Sequence, residues 1–199
     1  MDESVIAAIK RWPNVPVVYG WLSLTARGQW RLHGDGGAAQ GGAGDSISNP
    51  QILAFINRNY GCDEKGRWFF QNGPQRVYVR LDAAPWILSA DDSQGTLTTH
   101  TGLSVESITN LWIDDLGRLY LQSEHGPGML IDRDLPRFTQ SLVTEDGQSI
   151  EDWWGSFDAT THKTGANHIT LNMLGPPWRA CPNTLTLTRL KTELEPSLV

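Results

Sequence analysis

The sequence predicts an α+β protein: mainly antiparallel sheet built from repeated β-hairpin motifs, with two or three short helices. Three observations lead there. First, Asp63-Glu64-Lys65-Gly66-Arg67-Trp68-Phe69-Phe70-Gln71 is echoed by Asp114-Asp115-Leu116-Gly117-Arg118-Leu119-Tyr120-Leu121-Gln122. Each copy is followed by Gly-Pro and then an apolar run ending near Asp and Pro (Asp82 and Pro85; Asp134 and Pro136). A weaker third copy spans Thr25 to Leu32. An echo of this kind points to a duplicated supersecondary unit. Second, apolar residues flanking these turns alternate with period two, the signature of half-buried strands. Third, two segments carry a helical stripe bounded by stop or cap residues.

In chain order, residues 3–12 read as a short amphipathic helix, with Val5, Ile6, Ile9 and Trp12 on one stripe and Pro13 ending it. Val17 to Leu24 and Gln29 to His33 form a hairpin around Ala26-Arg27-Gly28. Gly34 to Gly44 is read as a flexible surface loop. Its formal match to a dinucleotide fingerprint (Gly34, Gly36, Ala39) opens no helix and lacks a βαβ frame. Asn49-Pro50 starts a helix bearing Ile52, Phe55, Ile56 and Tyr60 on one face, with Gly61 at its C-terminal cap. Two hairpin copies follow: residues 67–71 and 75–82, then 107–113, 118–123 and 128–132. A turn or helix runs from Pro136 to Val143, another covers Ser149 to Phe157, and strands span His168 to Met173 and Thr184 to Leu190. The chain divides into an N-terminal lobe, 1–92, and a C-terminal lobe, 93–199.

With 199 residues, 39% of them hydrophobic and 19% charged, the chain has the composition of a soluble domain that buries a real core. Nine Trp supply large buried area per residue, which suits thin β layers. A net charge of −6 opposes a broad phosphate-binding surface, and no Lys/Arg run is present, so nucleic acid is not an expected partner. No apolar run spans a bilayer, and Met1-Asp2-Glu3-Ser4 does not begin a signal peptide. Cys62 and Cys181 read as two thiols in a reducing compartment; the expected location is cytoplasmic.

No catalytic constellation stands out. Gly-x-Ser-x-Gly, a Walker loop and His-Glu-x-x-His are all missing, and His33, His100, His125, His162 and His168 are scattered. His125, in the Glu124-His125-Gly126 turn, is the first imidazole to examine. Asp91 to Gly95 lacks the ligand series of a calcium loop. Glu151, Asp152 and Asp158 pair only if folding brings them together. No metal and no cofactor are expected.

Strand alternation puts an Arg–aromatic–Gln row on one face of each copy. In the first copy it holds Arg67, Phe69 and Gln71, with Arg76, Tyr78 and Arg80 on the neighbouring strand; in the second, Arg118, Tyr120 and Gln122. Read functionally, Arg67, Arg76, Tyr78, Arg80, Arg118 and Tyr120 form a site for a planar or anionic small molecule lodged between the copies. Read conservatively, the row is ordinary sheet surface, with Arg stems lying over rings. Trp153-Trp154 and Pro176-Pro177-Trp178-Arg179, if exposed, suit a protein partner or a homodimer.

The run Gly66-Arg67-Trp68-Phe69-Phe70, Pro74, and Val77-Tyr78-Val79-Arg80-Leu81-Asp82-Ala83-Ala84-Pro85-Trp86 resembles a segment of an uncharacterised bacterial family of unknown function. Leu119-Tyr120-Leu121 and Leu130-Ile131-Asp132-Arg133 resemble that family's second half. The resemblance covers residues 50–140. It implies a mixed α+β fold of repeated strand motifs and a ligand-sensing or signalling role, and a structural motif transfers fold more safely than function. The expected function is a non-enzymatic small-ligand-binding or regulatory protein; the alternatives are an interaction or oligomerisation module, or an enzyme of unrecognised type.

Overall fold

One hairpin turn recurs along the chain and shapes the sheets. The computed structural model describes residues 1–91, 95–155, 168–173 and 184–189. Within them the turn begins at Thr25, Asp63, Thr99, Asp114 and Thr144. The N–H of each donates to the carbonyl four residues on, at 2.9–3.1 Å. The fourth residue is always glycine, with φ between 73° and 88°. The side-chain oxygen of the first residue accepts the N–H of the fifth, at 2.9–3.1 Å. A type I turn closed by a left-handed residue needs glycine at that position, and a short acceptor at the first position satisfies the donor left over by the bulge. Thr serves as well as Asp, which is why the sequence echo is obvious at only two of these turns.

The strands are β1 (Val18–Leu24), β2 (Trp30–Leu32), β3 (Asp45–Ser46), β4 (Tyr60–Cys62), β5 (Trp68–Asn72), β6 (Gln75–Leu81), β7 (Trp86–Asp91), β8 (Thr96–Thr99), β9 (Ser104–Val105), β10 (Ile108–Ile113), β11 (Leu119–Ser123), β12 (Gly126–Leu130), β13 (Leu142–Thr144), β14 (His168–Met173) and β15 (Thr184–Arg189). The helices are α1 (Glu3–Arg11), α2 (Pro50–Arg58), α3 (Leu135–Thr139) and α4 (Ile150–Gly155). Two compact units result. The first holds Met1–Pro85 and His100–Gly102; the second holds the described residues of Trp86–Thr99 and Leu103–Val199.

The first unit's sheet has the order β3-β2-β1-β6-β5-β4 and the second's β13-β14-β15-β10-β11-β12-β7-β8-β9. Taken three at a time, the strands are antiparallel meanders. The first strand of a meander pairs in parallel with the last strand of the next: β1 with β6, β7 with β12, β10 with β15. The six strands β7–β12 therefore repeat the order of β1–β6.

The α+β class holds, with two corrections. The pairing is mainly antiparallel as expected, but the sheets are larger and mixed, with parallel seams at β1–β6, β7–β12 and β10–β15, because side-chain alternation carries no information about the direction of a distant neighbour. Four α-helices are present among the described residues, where two or three were expected. Strands β3, β4, β7–β9 and β13 were not anticipated, and β13 takes the end of the segment expected as a turn or helix to Val143. β4 and β9 are too short to show a period, and Trp86-Ile87-Leu88 in β7 is a continuous apolar run, buried on both faces.

Helix α2 starts as expected, with the Asn49 side chain accepting from the N–H groups of Gln51 (2.9 Å) and Ile52 (3.2 Å). Its end differs. Asn59 Nδ2 donates to the Phe55 carbonyl (2.9 Å), and Gly61 belongs to β4 instead of the cap. The glycine-rich stretch is also folded. A 3-10 turn spans Gly37–Gln40 and buries Ala38 completely. Gly20 permits this packing: it has φ 83°, and a Cβ there would lie 2.1 Å from the Gly36 carbonyl oxygen. Cys181, His162, Asp158, Asp92 and the Pro176–Arg179 segment lie outside the described residues.

Candidate functional site

Helix α2 crosses one face of the first unit's sheet, and it packs unevenly. Near its C-terminus Ile56 is 2% exposed, and Phe55 meets Phe70 edge-on with centroids 5.5 Å apart. Near its N-terminus Ile52 is 50% exposed. The helix and sheet thus enclose a cavity of about 740 Å³, within the range of small-molecule sites. Val18, Leu22, Phe70 and Val77 form its floor, while Ile52 and Phe55 face them from the helix.

Trp21 reaches the cavity beside Leu22 although the two are consecutive. An irregularity in register makes this happen: Val18 pairs with Val77 but Leu22 with Val79, so β1 carries extra residues around Gly20. A bulge of this kind re-aims a side chain that alternation would send to the other face. Trp21 and Leu32 remain 44% and 46% exposed at the mouth. Covering what is left of each is worth about 1 kcal/mol to a ligand. The polar lining comes from Gln51, Asn72 and Gln75.

The Arg–aromatic row lies on the opposite face. Phe70 pairs with Val77 on the cavity side, so the next rung, Phe69 with Tyr78, points away. There Arg67 bonds Asp63 Oδ2 (2.7 Å) and the Tyr78 hydroxyl (2.7 Å), and lies 4.5 Å from the Tyr78 ring centroid. Tyr78 donates to Asp63 (2.9 Å) and stacks on Tyr19 at 4.7 Å. Partial burial works to raise the Asp63 carboxyl. Hydrogen bonds from Arg67, Tyr78 and the Lys65 N–H outweigh it and hold the group well below the usual carboxylate range.

Arg76 lies 3.9 Å over Phe69 and donates to Gln71 Oε1 (3.3 Å). Arg80 donates to the Ala38 carbonyl (2.6 Å) and pairs with Asp82 (2.8 Å), tying the glycine-rich stretch to the sheet. In the second unit Arg118 pairs with Asp114 at 2.6 Å and sits 5.7 Å from the Tyr120 centroid, and Tyr120 donates to Asp114 at 3.4 Å. The structure therefore joins Arg67 with Tyr78, and Arg118 with Tyr120, each around its own turn aspartate. Arg76 and Arg80 stand apart from both clusters, and none of the six residues lines the cavity. Sequence reasoning missed the cavity itself. Its one legible trace is the Trp21–Leu32 pair of large apolar residues on adjoining strands.

A nucleophile–base geometry exists at Ser23 and His33, whose Oγ and Nε2 lie 2.9 Å apart. Both are buried, at 0% and 3% exposure, so the pair braces the sheet against the glycine-rich stretch and meets no substrate. His125 Nε2 lies 2.8 Å from the Ser104 carbonyl oxygen, tying the β11–β12 turn to β9. Among the described residues no group of three or more His, Cys, Asp or Glu is placed to hold a metal ion. Among them also, no helix is long and apolar enough to cross a membrane.

Comparison with known proteins gives a family and no activity. A DUF1285 family protein from Silicibacter pomeroyi DSS-3 is similar over 77% of this chain and 99% of its own, at 16% identity and a TM-score of 0.49. Another from Shewanella baltica OS155 is similar over 61% and 91%, at 16% identity and a TM-score of 0.43. No curated protein matches the chain. Residues 1–175 match the model of a family described as "Protein of unknown function (DUF2946)", and the chain belongs to that family.

Proposed function

We propose that the first unit binds a small, largely apolar molecule in the cavity between α2 and its sheet, and that the protein acts as a ligand carrier or sensor. The carrying observation is the stand-off of α2: an amphipathic helix whose stripe is packed at Ile56 and Phe55 and left open at Ile52. Apolar surface kept half in water costs stability, so a fold that retains it has a use for it. The guanidinium row supports the site from behind by fixing the glycine-rich stretch and the β4–β5 turn. The test is titration with an apolar fluorophore that brightens on burial, for the native protein and for Ile52→Glu. Saturable brightening that the variant loses while keeping its melting temperature supports the reading; no brightening in the native protein rejects it.

A second reading, an interaction or oligomerisation surface, has its own observation. Of the large hydrophobics exposed among the described residues, Met1, Ile6, Trp12, Val17, Tyr19, Trp21, Leu32 and Ile52 all belong to the first unit. It predicts a dimer whose dissociation follows dilution and is promoted by Trp21→Ser, measured by analytical ultracentrifugation.

A further inference from the structure

We infer that the cavity selects a ligand whose head group is uncharged: an alcohol, amide or carbonyl on an apolar body, in preference to a carboxylate or an amine. This rests on the reading of the cavity as a ligand site. Among the described residues the lining contains no charged side chain; its polar groups are the carboxamides of Gln51, Asn72 and Gln75. A carboxamide offers both a donor and an acceptor, and so matches a hydroxyl, amide or carbonyl without asking for a counter-charge.

The segregation of charge is built into the strands. Asn72 and Gln75 are cross-strand partners two rungs beyond the Phe70–Val77 pair. Period two puts all four on the cavity face and leaves Arg67 and Arg76 to the other side. Arg80 is likewise withdrawn, bound to Ala38 and Asp82. Within the described residues none of the three carboxamides spends its side chain on a hydrogen bond to the protein, so all are available at the rim. An ionic head placed there gains no partner for the water it loses, and that loss disfavours it against a neutral one.

The experiment measures binding of dodecanamide, dodecanoate and dodecylamine to the full chain by calorimetry at neutral pH, with Gln75→Lys as a second protein. The expected result is dodecanamide binding at least about tenfold tighter than either ion. In Gln75→Lys, dodecanoate should gain at least about tenfold while dodecanamide changes by less than about threefold. Dodecanoate or dodecylamine binding as tightly as the amide to the native protein overturns the neutral-head assignment and leaves the cavity reading standing. Failure of all three to bind overturns the cavity reading, and this inference with it.

Discussion

The two units share the strand order of six strands yet differ in how completely they close. In the second unit Leu88, Leu97, Leu111, Leu119 and Leu121 are at 0% exposure, and Ile108 and Leu130 are nearly so. In the first unit Trp21 and Leu32 on the sheet and Ile52 on α2 are about half exposed. The connection between meanders makes the difference. From β3 to β4 the chain inserts α2; from β9 to β10 it crosses through Glu106 and Ser107, whose N–H groups are held by Glu124 at 2.6 and 3.1 Å. A helix rests on a sheet only where its stripe meets side chains of matching length, and α2 does so over one of its ends. One strand plan is thus found both with a helix inserted between its two meanders and with a two-residue crossing there.

The largest expected effect tests that contrast directly. Leu121→Ala should destabilise the second unit by about 3 kcal/mol, because it opens a void in a closed core. Ile52→Ala should cost under about 1 kcal/mol, since that side chain is already half in water. Urea denaturation of both variants reads the difference, and equal losses would dissolve the distinction between sealed and open. Next comes the shared turn. Asp114→Ala removes the acceptor for the N–H groups of Leu116 and Arg118 and strands the Arg118 guanidinium, at a cost of about 2 kcal/mol. Asp114→Thr should recover part of that loss, because Thr holds the same position at Thr25 and Thr99. If Asp114→Thr proves as damaging as alanine, the five turns are not chemically equivalent.

The last effects are in pH, and they concern the first unit. The Asp63 carboxyl is depressed on folding, so its contribution is present above the unfolded value of about 4 and is lost as pH falls through the folded value. His100 works on a neighbouring window. Burial against Trp30 and Tyr60, with centroids at 5.5 and 5.7 Å, lowers its imidazole to about 4. The unfolded chain takes up that proton first, so stability declines as pH drops from about 6.5 towards 4. Thermal melts from pH 7 to pH 3 should show the upper part of this decline vanish in His100→Phe and the lower part shrink in Asp63→Asn. A profile unchanged by both variants would mean that these groups do not set the acid response.

Much of the local structure was legible in the residues. Asn49-Pro50 announced a helix start, Asp63 to Gly66 and Asp114 to Gly117 announced turns, and alternation sorted Phe70 and Val77 from Phe69 and Tyr78. The parallel seams were not legible, because Val18 carries no mark that it will lie beside Val77 rather than some other strand. Nor was the cavity, since a void depends on how far a helix stands from a sheet, and composition at Ile52 is the same whether the gap is filled or open. The Arg–aromatic rows were correctly placed on one face of their strands. What sequence could not supply was the set of partners at that face: Asp63 and Asp114 are near in sequence, but Ala38 reaches Arg80 only through folding.

The seam between β1 and β6 carries a consequence for biosynthesis. During translation β1 emerges early and forms its hairpin with β2, but its inner neighbour is the last strand of the following meander. Until the ribosome has released Leu81, that edge has nothing from its own chain to bond. The same delay recurs for β7 and for β10. Nascent intermediates therefore each present one bare strand border, open to capture by chaperones or by a sister polypeptide, and the pace of elongation governs how long each border stays bare.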